Sequence, residues 1–314
     1  MSKMPTETLA PPAPTRTTIR RYALNGPTMG TRYAAVFYDT ERPDIDRIGL
    51  ALQAAVDLVD RQMSTWKPES DLMRFNAAPV GEWVPLPVEL LTVIAAGLNV
   101  GRQSGGAFDI ATGDLVAAWG FATHGGAPDV DAVTRLAANT RTPAHDRLDL
   151  DVAGGKLRKR APVQLDLSGI AKGYGVDCLA ETLARFGVVN YLVSIDGEVR
   201  AHGTKPSGEL WQIGVEQPLR GRRDIAGYVA LDDGALATSG NYRHVVELDG
   251  VSYSHSMDPR SGRPVVNDVA AVTVRADTCM AADAWATALL VIGPDEGQAL
   301  ARRNGVEVMY QLNA

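Results

Sequence analysis

The sequence predicts an α+β fold built as one large interwoven domain. Segments with strand-like alternation and segments with helical periodicity follow one another without the regular spacing of βαβ units. No internal repeat and no sharp linker divides the 314 residues. Hydrophobic residues make up 45% of the chain and charged residues 22%, the balance of a globular protein with a substantial core.

The opening stretch, MSKMPTETLAPPAPTRTTIRRYALNG, has no long apolar run and no cysteine placed for lipid attachment. Residues 1–20 therefore read as a flexible lead to a domain over 21–314, and a cytoplasmic location is the default expectation. A first strand falls near 21–24, followed by the turn-rich NGPTMGT and a second strand over 33–38. Residues 44–63 carry Leu52, Val56, Val59 and Met63 at helical spacing, which predicts one buried helical face. STWKPESDLMRFN reads as a turn-rich segment, and 87–104 as a helix stopped by Gly105 and Gly106. GAFDIATGDLVAAWGF leads into a short helix, and 123–143, rich in glycine, proline and alanine, reads as a surface excursion.

Short alternations in RLDLDVAGGKLRKRAPVQLDLSG suggest strands, and 170–186 predicts a helix that runs directly into the strand NYLVSI. WQIGVEQP, IAGYVALDDGALATSG and YRHVVEL are further strand candidates, and SHSMDPRSGRPV is turn-rich. AAVTVRA reads as a strand, 277–291 as a helix and EVMYQL as a terminal strand. No window is apolar for long enough to suggest a membrane span. The net charge of -6 argues against a general nucleic-acid binder, which would gather positive charge along a phosphate path. Cys178 and Cys279 form no CxxC pair.

Several positions could carry chemistry. LDLSGIAKGYG sets Asp166 six residues before Lys172 among three glycines, yet it matches neither GxxxxGK[ST] nor GxGxxG. It is either a glycine-rich lead into a helix or a phosphate contact made by Lys172 and backbone amides. Asp166 either touches ligand or accepts local backbone hydrogens. Asp283 and Thr287 lie four apart on one face of the predicted helix, where they either hold a hard cation or form a polar surface. His255 stands close to Asp258 and Arg260, a set that suits either an anionic substrate or a surface turn. Met29, Trp66 and Phe108 either cover a flat ring system or belong to the core. His124, His145, His202 and His244 form no short-range metal motif, and neither GxSxG nor HExxH occurs.

The blocks NGPTMGT, MSTWKPESDLMRFN, GAFDIATG, LDLSGIAKGYGVD, ATSGNYRH, SHSMDPRSG and TCMAADAWATAL occur in this order between Asn25 and Leu290. Together they resemble the FAD-dependent protein FMN transferases of the ApbE family. The resemblance implies an ApbE-like α+β fold and magnesium-dependent transfer of FMN from FAD to a threonine hydroxyl of an acceptor flavoprotein, releasing AMP. It implies flavin or FAD contacts at Met29, Trp66, Ala107, Phe108, Asp109, Asp166 and Lys172. It makes the Gly169 carbonyl, Asp283 and Thr287 the magnesium ligands, with Ala286 as a further backbone contributor. His255, Met257 and Asp258 fall in the family's substrate loop. Lys172 is expected to stabilise phosphate oxygens, and Asp283 and His255 are the candidate bases for the acceptor proton. SIDGEV departs from the family's NLGGDV-like turn by placing Asp196 where a compact glycine is expected. Two alternatives share the implied site: an FAD pyrophosphatase giving free FMN and AMP, and a noncatalytic FAD-binding assembly factor.

Overall fold

The computed structural model describes residues 19–39, 43–122, 126–138, 141–219, 221–242, 245–248 and 250–313. Most of the expected lead, together with His124 and His244, lies outside them. At the centre is a seven-stranded sheet in which every neighbouring pair is antiparallel. Its order in space is Arg20–Thr28, Thr31–Asp39, Tyr191–Ile195, Glu198–His202, Asp233–Gly240, Val269–Ala276 and Glu307–Leu312. Alternation decides which face each side chain meets. Tyr33, Ala35 and Phe37 are buried with the helices on one face, while Val36 and Tyr38 join the cluster on the other.

Helices Ile45–Met63 and Ala171–Arg185 cover the first face, with Ile48, Leu52, Val56, Val176, Leu179 and Leu183 in one core. Helix Cys279–Ile292 continues this layer over Asp233–Gly240 and Val269–Ala276, and helix Val88–Gln103 packs outside it. It is apolar nearly all round, as a helix enclosed between sheet and helix must be. The acidic exception is Asp283, and its burial demands a reason. On the opposite face the hairpin of Trp211–Glu216 and Ile225–Leu231 packs Trp211 and Leu231 against Val199, Ala201 and Leu236.

The α+β class agrees with the expectation, and several elements differ in detail. The expected surface excursion holds a helix, Val130–Ala137, whose N-cap Asp129 accepts a hydrogen bond from the Ala132 amide at 2.9 Å. It buries no residue fully, although Val133 and Leu136 on its apolar face pack, partly buried, against Leu115 and Trp119. STWKPESDLMRFN ends in helix Asp71–Ala77, capped by Ser70 and anchored by buried Leu72 and Phe75. IAGYVALDDGALATSG breaks at Asp232 into strands of two different sheets. Pro294–Arg303 is an additional helix, entered through Gly293 at φ 82° with proline in its first turn. Among the described residues no helix is long and apolar enough to cross a membrane.

Candidate active site

The site is built where two helices are pinned end to side. Asp177, on helix Ala171–Arg185, accepts hydrogen bonds from the Cys279 and Met280 amides, both at 2.9 Å, and so caps helix Cys279–Ile292. Arg200 Nη1 donates to the same carboxylate at 2.7 Å from the neighbouring sheet strand. Burial raises the Asp177 carboxyl, and the two amides and the guanidinium pull it back. The helices can meet because residue 173 is glycine: a Cβ there would overlap the Cys279 carbonyl oxygen and lie 2.8 Å from Asp283 Cβ. Across this contact the Gly173 amide donates to Asp283 Oδ2 at 3.0 Å, which fixes the carboxylate.

Two cavities open beside this junction. The first, of about 340 Å³, is lined by Ala107, Phe108, Asp109, Asp166, Gly169, Lys172, His255, Met257, Asp283 and Thr287, among others. The second, of about 570 Å³, is bounded by Met29, Met63, Trp66, Leu167 and Ala171. Ser168, Lys172 and Asp196 line both cavities and mark their junction. Most of the residues singled out from the sequence therefore converge, although they span the chain from Met29 to Thr287.

Charge is concentrated around Lys172. Its Nζ lies 2.7 Å from Glu198 Oε1 and 3.5 Å from Asp196 Oδ2. Burial alone would lower its ammonium, but Glu198, Asp283 and Asp196 outweigh burial and hold it above the ordinary lysine value. Asp283, 4% exposed, is pushed up to about 7 by burial and by the Glu198 charge, against the opposing pull of Lys172. The second oxygen of Glu198 is buried without a hydrogen-bond partner. Such a group retains unused acceptor capacity beside the cavity.

The remaining positions have mixed local roles. Asp166 Oδ1 accepts from the Ser168 amide at 2.8 Å, shaping the turn that presents Gly169. Asp109 accepts from the Ala111 and Ala144 amides at 2.8 and 3.0 Å, so it ties two loops together while lining the cavity. Met257 packs with Leu115 and Trp119, which seats the loop carrying His255. Asp258 is committed to Arg260 Nε at 2.9 Å and does not line either cavity. Ala286 is fully buried and likewise lines neither. Trp66 is 64% exposed, so its ring is open to a partner. Met29 and Gly30 form a two-residue hairpin turn with φ of 44° and 73°. Such turns favour Asn or Gly at the first position, and a methionine held there is strained in favour of its placement.

Two contributors escaped the sequence reading. Glu198 sits 26 residues from Lys172, and Asp177 more than 100 from the amides it caps, and no short motif links such pairs. A hydroxyl ladder also lines the first cavity: Thr238 pairs with Thr273 at 2.8 Å, and Ser239 with Thr287 at 3.2 Å. Among the described residues no group of three or more His, Cys, Asp or Glu side chains is arranged to hold a metal. Asp283, Thr287 and Gly169 nevertheless line the same cavity, and a carboxylate, a hydroxyl and a backbone carbonyl are all oxygen donors. The position of a Cβ on Gly169 would lie 3.1 Å from Thr287 Oγ1. Such donors suit a hard cation that takes its other ligands from phosphate and water.

The ApbE family model matches residues 29–310. A curated relative from Vibrio cholerae, FAD:protein FMN transferase, is 38% identical over 295 residues, covering 91% of this chain and 86% of that protein. A crystal structure of Pseudomonas stutzeri flavinyl transferase ApbE in its apo form superposes with a TM-score of 0.83 at 36% identity, covering 94% of this chain and 92% of that one. The flavin transferase ApbE from Vibrio cholerae gives a TM-score of 0.84 at 35% identity, with 95% of each chain covered. With the sequence blocks, the fold and these relatives in agreement, the chain belongs to the ApbE family.

Proposed function

We propose that this chain transfers FMN from FAD to a threonine hydroxyl of an acceptor flavoprotein in, or facing, the cytoplasm, releasing AMP with the help of magnesium. The observation that carries this reading is the meeting of two cavities at Lys172. One cavity is bounded by thioether and indole groups, and the other by hydroxyls and an oxygen-donor wall. FAD has the matching division: a flat apolar ring system, a diphosphate and a nucleoside. Trp66, Met29 and Met63 offer the polarizable surface for the ring. Ala107 and Phe108 line the other cavity, where the Phe108 ring lies against Gly169.

Asp283, Thr287 and the Gly169 carbonyl are the groups that would hold magnesium, with the Ala286 carbonyl as a further candidate. Magnesium, when bound, neutralises diphosphate charge and polarises the phosphorus under attack. Lys172 places a permanent positive charge at the cavity junction, where it balances oxygens that gain charge as the diphosphate divides. The threonine oxygen bonds to the FMN-side phosphorus, and the bond from that phosphorus to the bridging oxygen breaks. The bridging oxygen leaves with AMP. The threonine proton goes to a carboxylate or imidazole at the cavity, and Asp283 and His255 are the candidates. Met257 holds the His255 segment, while Asp258 acts within it through Arg260 rather than by touching ligand.

Intact-mass measurement tests this reading with FAD, magnesium and an acceptor fragment that contains or lacks the threonine. A gain of one FMN moiety that requires the threonine is expected. Release of free FMN and AMP without an adduct would instead establish hydrolysis, and tight FAD retention without cleavage would establish a binding role.

A further inference from the structure

Asp196 and Gly197 form the two-residue turn between the strands Tyr191–Ile195 and Glu198–His202, closed by the pairing of Ile195 with Glu198. Their φ values of 51° and 116° are left-handed, and Asp-Gly is a favoured pair for a hairpin turn of this kind. The turn accounts for a short polar residue at 196. It does not account for a negative charge, because asparagine satisfies the same backbone requirement.

The charge has a specific target. Asp196 is 42% exposed in its side chain, lies 3.5 Å from Lys172 Nζ and borders both cavities. Lys172 already has a closer partner in Glu198, which is 5% exposed in its side chain and 2.7 Å away. Asp196 is therefore not needed to neutralise the lysine. With Glu198 and Asp283 it leaves the junction rich in negative charge, at the place where an anionic ligand crossing between the cavities meets Lys172.

We propose that Asp196 is a specificity-determining residue that competes with the substrate diphosphate for Lys172 and so weakens binding of the anionic ligand. The inference rests on the reading of the two cavities as a flavin and diphosphate site. The ligand's phosphate oxygens replace Asp196 as the second partner of Lys172, and the displaced carboxylate turns to solvent. Because the carboxylate is half exposed, the effect is modest and screened by salt. A flavin without phosphates does not meet this competition.

The test is a flavin-fluorescence titration of the full chain and its Asp196→Asn variant with FAD and with riboflavin, in EDTA, at low and high ionic strength. Asparagine keeps the turn and removes the charge. Asp196→Gly provides a second charge-free variant with a different side-chain size. Both variants are expected to bind FAD about two- to fivefold more tightly at low salt. The gain should shrink at high salt, with riboflavin affinity unchanged throughout. Equal FAD affinity, a gain shared equally by riboflavin, or weaker FAD binding in the variants overturns the proposal. If wild type and variants all fail to bind FAD in EDTA, the comparison is repeated with magnesium present, and failure there too overturns the flavin reading and this inference with it. FAD binding by wild type without the predicted difference removes the inference alone.

Discussion

Asp283 is a carboxyl group held away from water, and its burial has consequences for the stability of the fold. Its carboxyl is pushed up to about 7 in the folded chain by burial first and by Glu198 second. An unfolded aspartate titrates near 3.9. Between those values the folded state binds more protons than the unfolded one, so this group's contribution to stability falls as pH rises from about 4 to about 7. Without metal, this group should therefore lower the melting temperature from acid toward neutral pH relative to a chain that lacks it. Asp283→Asn removes the titrating group, so the wild type should lose stability relative to the variant as pH rises. As the loss of a proposed magnesium ligand, the same change should lower transfer at least ~100-fold, since even outer-shell partners of a metal cost up to that much. Thermal melts in EDTA across this range decide the first part, and parallel pH curves for the two proteins would count against it. The sequence made Asp283 and Thr287 visible because a spacing of four aligns side chains on a helix. It could not show that Glu198 stands beside them, because that proximity arises from strand pairing rather than from a local pattern.

At the scale of elements, the site depends on the contact between helices Ala171–Arg185 and Cys279–Ile292. Gly173 permits their approach, and Asp177 fastens one to the N-terminus of the other. Gly173→Ala places a methyl group against the Cys279 carbonyl and Asp283 Cβ, so the helices must separate and the amide contact to Asp283 must lengthen. We expect a loss of about 1–3 kcal/mol, as for other overpacked interiors, and a fall in transfer larger than that loss of folded protein explains. Asp177→Asn should cost about 3–5 kcal/mol because it leaves Arg200 without its buried partner. Urea denaturation followed beside activity separates the two effects: wild-type stability in Gly173→Ala would show that the helices absorb the methyl group without strain.

The same elements explain which parts of the fold were legible. Leu52, Val56, Val59 and Met63 announce their helix because all four are buried along one face of it, Leu52 and Val56 in one core cluster and Val59 and Met63 in the next. Helix Val130–Ala137 is only eight residues long and buries nothing fully, and Pro294–Arg303 is ten residues long and buries only Gly297 and Ala301, so their amphipathic runs are too short to stand out from the surrounding turn-rich sequence. The break at Asp232 is hidden because both flanking segments alternate like strands. Only tertiary pairing assigns them to different sheets.

Across the whole molecule, antiparallel pairing brings an early hairpin and a late helix to one ligand path. The Met29–Gly30 turn belongs to the first two strands, Lys172 opens the middle helix, and Asp283 and Thr287 lie on the helix over the later strands. A ligand that reaches from the second cavity through the junction into the first contacts all three regions. Once one end of such a ligand is seated, the other end binds at a high effective concentration. FAD should therefore stabilise the chain more than riboflavin and ADP supplied together, although the mixture carries nearly the same chemical groups. At a hundredfold excess over its Kd, a single ligand adds about 2.7 kcal/mol to stability, enough to move a thermal transition by several degrees. Melts in EDTA, with FAD compared against equal concentrations of the two fragments, measure the advantage of the connection. A shift from FAD no greater than that from the mixture would mean that the two cavities are not spanned by one molecule, and the assignment of ring and diphosphate to opposite sides of Lys172 would have to be abandoned.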